Sequence, residues 1–223
     1  NEAACASRDG LRRAMEEGTV LEGVAQLCDG AHNLLVSVGP FTGFLPREEA
    51  ALGIAEGTTR EIAILSRVGK PVCFQITALE ESGGVLRPRL SRRRAQQAAL
   101  DAMLAGLHPG CILPAVVTHL ESFGAFVDIG CGVPSLIGIE SISVSRIPHP
   151  DQRFRVGQAI FAVVQELDPK LGRVYLTHRE LLGTWEENAA AFCAGDTVPG
   201  IVRSVEDYGI FIELTPNLAG LGD

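Results

Sequence analysis

The stretch Phe123-Gly124-Ala125-Phe126-Val127, continued by Asp128-Ile129, decides how this chain folds. Its apolar side chains alternate across a sheet, and Gly130-Cys131-Gly132 ends the run. The pattern around it recurs. Val117-Thr118-His119-Leu120-Glu121-Ser122 leads into Phe123–Val127 as Val202-Arg203-Ser204-Val205-Glu206-Asp207 leads into Tyr208-Gly209-Ile210-Phe211-Ile212. Each copy reads Val, polar pair, aliphatic, two polar or acidic residues, then aromatic-Gly-aliphatic-Phe-aliphatic. Upstream, Gly110 and Ala115 match the spacing of Gly195 and Gly200, and of Gly18 and Gly23. The chain therefore reads as three copies of one unit, beginning near residues 18, 110 and 195.

The central copy shows its strands most clearly. Cys111 to His119 is β-rich after the Pro109-Gly110 breaker, Phe123 to Ile129 is a second strand, and Ser135 to Ile139 is a short third. A proline-bearing link from Ile142 reaches the Arg155-Val156-Gly157 turn. Gln158 to Leu167 and Arg173 to Thr177 then flank the turn-forming Asp168-Pro169-Lys170-Leu171-Gly172. Five short strands with one long link between the third and fourth are the strand count of an OB-type barrel.

Helical signals lie between the copies. Ser91 to Leu107 places Ala95, Ala98, Ala99, Ala102 and Leu104 at near-helical spacing, with Ser91 as N-cap. Glu180 to Phe192 reads as a second helix, interrupted at Gly183. Segment 3–17, with Leu11, Ala14 and Met15, reads as a leading helix. The expected fold is all-β with linking helices: tandem five-stranded OB-fold barrels joined by α-helices, the third barrel incomplete. The expected divisions are 1–17 leading helical segment, 18–90 degenerate OB-fold repeat, 91–107 linker helix, 108–180 intact repeat, 181–194 linker helix, and 195–223 first half of a third repeat.

Apolar residues make up 46% of the 223, enough for packed cores. No apolar run reaches the length of a membrane helix, and Asn1 is not followed by a secretory leader pattern. A soluble cytoplasmic protein lacking its initiator Met is expected. No two of the six cysteines are spaced as a zinc or redox motif, so they are expected to be reduced and mostly buried small hydrophobes, with no metal and no cofactor. The net charge of −8 argues at first against nucleic acid. It is uneven, however. Residues 183–223 carry −6, residues 91–107 carry +2 through Arg92-Arg93-Arg94, and the remainder carries −4. A local RNA track is compatible with that distribution. The three arginines start a helix against its dipole, which leaves phosphate contact and a solvated or acid-paired face both open.

The central copy resembles the S-one type RNA-binding domain, first described as a repeat in the largest protein of the bacterial small ribosomal subunit. The resemblance runs through Gly110, Val117, Phe123–Gly130, Gly132-Val133, Leu136-Ile137, Ile139, Ser143, Val156-Gly157-Gln158, Val164, Leu167-Asp168, Arg173, Leu176 and Arg179. The third copy keeps Gly195–Val198, Gly200, Val202, Tyr208–Phe211 and Gly220-Leu221. The first keeps Gly18, Gly23, Val36, Gly39, Gly43–Pro46, Val68–Lys70 and Leu90-Ser91, but has Ala31-His32-Asn33-Leu34-Leu35 where the central copy has its aromatic pair. The order of degenerate, intact and third barrels resembles ribosomal-protein-like S-one domain proteins of Gram-positive bacteria.

The resemblance implies a site. Phe123 and Phe126 would stack on bases, each stack worth about 1–3 kcal/mol. Arg173 would contact phosphate or stack. Asp168 would accept from a base edge, or would instead hold Arg173 and the turn. His119 and Arg179 lie near the track, and Tyr208 and Phe211 are the aromatic positions of the third copy, beside the acidic Glu206 and Asp207. The family's third strand often carries His after Leu-Ile; here Gly138 follows Leu136-Ile137, and His149 on the long link is no obvious substitute.

Two function classes stand beside each other. One is non-catalytic binding of single-stranded RNA, messenger RNA being the expected partner, as a ribosomal-protein-like component of a ribonucleoprotein in translation. The other is docking to the ribosome or ribosomal proteins with little RNA affinity, favoured by the net charge, the first copy and Gly138. An enzyme is disfavoured because neither a nucleophile elbow nor a P-loop is present. Neither a membrane nor a small-molecule substrate is expected.

Overall fold

The computed structural model describes residues 2–215 and 217–222. The outermost ends of the expected first and last divisions, Asn1 and Asp223, lie outside the described residues. The chain divides into two compact units. One runs to Met103 and takes in Cys131–Val133; the other comprises Leu104–Gly130 and Pro134 onward.

In the first unit, helices α1 (Glu2–Cys5) and α2 (Arg8–Glu16) precede the strands. Ser7 caps α2 by accepting from the Gly10 N–H, and the helix buries Leu11 and Ala14. Strands β1 (Leu21–Cys28), β2 (Leu34–Val38), β3 (Phe41–Leu45), β4 (Pro71–Ser82) and β5 (Val85–Ser91) close into a barrel in the order β1-β2-β3-β5-β4. Strand β2 shows why: Leu34, Val36 and Val38 are buried at alternate positions, and Leu21, Phe74, Ile76 and Leu90 complete the same core. A one-turn helix, α3 (Ile62–Leu65), lies in the β3–β4 link.

Helix α4 (Arg92–Gly106) begins where β5 ends. Ser91 accepts from the Arg94 N–H at 2.9 Å, as expected of an N-cap, and its hydroxyl donates to Glu49. The arginine run is largely used within the unit. Arg92 is buried and donates to the Ala50 carbonyl, and Arg93 meets Glu56 at 2.6 Å, which leaves Arg94 exposed.

The second unit holds β6 (Ile112–Glu121), β7 (Gly124–Asp128), β8 (Pro134–Gly138), β9 (Ala159–Asp168) and β10 (Arg173–Thr177). They close in the order β6-β7-β8-β10-β9, the same connectivity as the first barrel. In both, every pairing is antiparallel except the one between the third and fifth strands. This is the five-strand barrel pattern of an OB fold. Inward side chains Leu113, Ala115, Val117, Ala125, Val127, Ile137, Ile160, Ala162, Val164, Val174 and Leu176 fill it. The β8–β9 link buries Ile142, Ile147 and Phe154.

The helix expected over Glu180–Phe192 is far shorter. A 3-10 turn spans Arg179–Leu182, Gly183 turns the chain at φ 74°, and only α5 (Trp185–Ala189) is helical. The restart has a local cause: Thr184 and Glu187 form a capping box. Beyond it, β11 (Ile201–Glu206), β12 (Gly209–Thr215) and β13 (Leu218–Gly222) form an antiparallel sheet. Buried Glu213 on β12 receives Arg203 at 2.8 Å and Arg153, from the β8–β9 link, at 3.1 Å. Burial pushes its carboxyl up, but the hydrogen bonds and charges of Arg203 and Arg153 outweigh burial and hold it below the ordinary value.

Candidate nucleic-acid interface

The site is built on a bulge. Opposite β7, the register of β6 slips between Val117 and His119, so that His119 sits beside Phe126 and Thr118 is the extra residue. Thr118 fills that role by donating to the Phe126 carbonyl at 3.1 Å. The bulge swaps which side of β6 faces out, and brings His119 onto the outer side of the barrel with Phe126.

Phe126 is half-buried, between the buried Ala125 and Val127, so it projects to the face opposite the core. Phe123 precedes the strand and is 54% exposed. The two rings meet edge to face, centroids 6.0 Å apart at 87°, and the His119 ring lies 6.3 Å from Phe126. His119 also meets Glu121 at 2.7 Å. Gly124 separates the phenylalanines for a steric reason. A Cβ there would stand 2.4 Å from the Ile137 carbonyl oxygen, so only glycine lets β8 approach this closely.

Pairing extends the outer face across the barrel. His119 pairs Phe126, Phe126 pairs Leu136, and Leu136 pairs Tyr175. Directly paired residues share a face, so Tyr175 joins the aromatic row. Sequence reasoning missed it, although the alternation Arg173-Val174-Tyr175 puts it on the side of Arg173. Arg173 is exposed and has no ion-pair partner among the described residues. Asp168, its cross-strand neighbour, accepts from the Lys170 and Leu171 N–H groups at 3.0 Å each and so holds the hairpin turn. Arg179 stands apart, past the other end of β10, half exposed, within 3.9 Å of Glu180 and donating to the Glu140 carbonyl. Gly138 is beside this face, and a Cβ added there meets only open space.

The same frame recurs in the C-terminal sheet. Its register slips between Val202 and Ser204, opposite Phe211. Tyr208, 68% exposed, meets half-buried Phe211 edge to face at 6.2 Å and 88°. The surroundings differ: Arg203 is committed to Glu213, and Glu206 and Asp207 are exposed. In the first barrel the slip falls between Ala25 and Leu27, which places Leu35 at the Phe126 position and His32 at the Phe123 position. His32 approaches Glu61 at 2.9 Å, and Arg47 reaches the same carboxylate at 2.6 Å. The Arg47 hydrogen bond and the charges of His32 and Arg47 hold the Glu61 carboxyl below its usual value, although some desolvation opposes them.

Residues 107–179 match the family model of the S1 RNA binding domain. Small ribosomal subunit protein bS1 of Leuconostoc lactis is 31% identical over 84% of this chain and 43% of its own length. The same protein of Neisseria meningitidis serogroup B is 28% identical over 95% of this chain and 37% of its own length. The chain thus spans less than half of either relative. Among solved structures, GSP13 from Bacillus subtilis is 20% identical over 42% of this chain and 78% of its own, with a TM-score of 0.33. The bulged strand pair, the outward aromatic pair and the match to the S1 RNA binding domain model fall on one barrel, in a chain similar over most of its length to ribosomal protein bS1.

Proposed function

We propose that the chain binds single-stranded RNA, messenger RNA in particular, on the outer face of its central barrel, as a non-catalytic cytoplasmic component of translation. The exposed edge-to-face pair Phe123–Phe126 carries this reading. Outward aromatic rings have no packing purpose in a barrel whose core is already filled, and they match the π faces that single-stranded RNA offers. Tyr175 continues the row, Arg173 supplies charge, and Asp168 shapes the turn that presents Arg173. The Tyr208–Phe211 pair is a second, weaker platform, because its neighbouring carboxylates repel phosphate. The first barrel and the C-terminal sheet, which share the bulge register, are a degenerate repeat and the first three strands of a third.

A fluorescent single-stranded oligonucleotide, titrated at low and moderate salt against wild type and Phe123→Ala, tests the reading. The variant should bind about tenfold more weakly, one stacked base at the lower end of its usual worth. Equal affinities would remove the stacking role. The His32–Glu61–Arg47 cluster favours a second role for the first barrel, docking to a protein of the ribosome, since it replaces the aromatic pair with an ion cluster. Phe123→Ala protein should then still co-sediment with ribosomes.

A further inference from the structure

The second unit contains a cavity of about 360 Å³ lined by Val144, Arg179, Glu180, Gly183, Trp185 and Glu187. Its walls come from the β8–β9 link, the 3-10 turn after β10, and the start of α5. Trp185 is the chain's single tryptophan and is 53% exposed. The positive φ of Gly183 bends the backbone between Arg179 and Trp185, and the capping box of Thr184 and Glu187 fixes the indole's helix in place. Arg179 is half exposed, and both of its polar contacts are long, 3.9 Å to Glu180 and 3.4 Å to the Glu140 carbonyl. Glu187, by contrast, is engaged by the Thr184 N–H at 2.7 Å.

We infer that this cavity is a nucleobase subsite, in which a base at one end of the bound RNA stacks on Trp185 while its phosphate meets Arg179. The inference rests on the RNA reading above and extends it. Three observations support it. The aromatic row of Phe123, Phe126 and Tyr175 offers stacking for two or three bases, whereas an OB barrel engages about 4–16 nucleotides, so the strand must continue past the row. Arg179 follows Tyr175 by four residues, in the 3-10 turn just past the end of β10, so the chain that carries the row reaches the cavity wall within one turn of leaving the strand. The cavity matches the smaller ligand pockets in volume, and its mixture of indole, guanidinium and two carboxylates, of which Glu187 is engaged by the Thr184 N–H, suits a neutral, flat, polar-edged group. The carboxylates of Glu180 and Glu187 direct the phosphate outward, toward Arg179.

The single tryptophan makes the test direct. Oligouridylates of four to twelve nucleotides are titrated into the full chain, with binding read twice: by anisotropy of a label on the RNA and by Trp185 emission. The short oligomers should bind without changing the emission. The longer ones should quench it, and Trp185→Ala should weaken only those, by about fivefold, with Trp185→Phe restoring most of the loss. Binding by anisotropy with unchanged emission at every length, and with equal affinities for wild type and Trp185→Ala, overturns the subsite and leaves the RNA reading intact. Absence of binding by anisotropy overturns both. Quenching by an arginine-rich peptide but not by RNA overturns the subsite in favour of a basic protein partner.

Discussion

Gly124 and Gly138 lie on facing strands, yet they serve opposite needs. At Gly124 the neighbouring backbone is too close for any side chain, so Gly124→Ala should push β7 from β8 and destabilise the second unit by about 2 kcal/mol, measured by urea unfolding. At Gly138 there is open space, and φ is −61°, which any residue adopts. Gly138→His therefore restores the ring that the S1 family often carries there, beside the Phe123–Phe126 pair. It should raise oligonucleotide affinity about threefold to tenfold, by titration, without lowering stability. A fall in affinity would mean that this edge of the face is not on the RNA track. The six cysteines are thiols but are not the mostly buried set expected: only Cys5 is buried, its thiol pushed up by burial, while Cys28, Cys73, Cys111 and Cys131 are half-buried and Cys193 is exposed.

At the scale of elements, the sequence announced those whose signal is local and hid those set by tertiary register. The alternation in Phe123–Ile129 is visible because Ala125 and Val127 must face a core, and the Ser91 cap is visible because it needs only Arg94. The bulge at Thr118 is not visible: it depends on how β6 meets β7, and it decides that His119 rather than Thr118 neighbours Phe126. Tyr175 went unread for the same reason, since its tie to Leu136 is a parallel pairing between β10 and a strand, β8, that ends 35 residues before β10 begins. The over-long helix after Glu180 is the reverse case, where Thr184-x-x-Glu187 was legible but composition hid it. The Glu213 triad belongs to this scale too, because Glu213 on β12 ties that sheet to the β8–β9 link through Arg153. Its folded carboxyl lies below the ordinary value, so its contribution is complete above the usual glutamate range near pH 4.3 and is lost as pH falls through the folded value. Glu213→Gln should cost about 3 kcal/mol at pH 7, with the gap to wild type narrowing as pH falls below the usual glutamate range, in urea unfolding followed at Trp185. A gap that does not change with pH would show that the charge of Glu213 is not what stabilises the contact.

Across the whole molecule, one backbone frame carries three different surfaces. The bulge recurs at Ala25/Leu27, Val117/His119 and Val202/Ser204, while the residues it presents change from His32 and Leu35 to Phe123 and Phe126 to Tyr208 and Phe211. RNA affinity should therefore concentrate in the central barrel, with Phe123→Ala and Phe126→Ala together removing most of it and Tyr208→Ala changing it by less than about twofold. Net charge sets how that binding responds to salt. At −8 overall, the chain gains nothing from long-range attraction, and the exposed cations along the proposed track are Lys170 and Arg173 at one end of β10 and Arg179 past the other. Three phosphate contacts predict a slope of about −2 in log affinity against log salt for a single strand, shallow beside a dedicated basic groove. Arg173→Ala should bring that slope nearer to zero by about 0.7, while Phe123→Ala should lower affinity at every salt concentration and leave the slope unchanged. Equal slopes for wild type and Arg173→Ala would take Arg173 off the phosphate track and leave stacking as the main source of affinity.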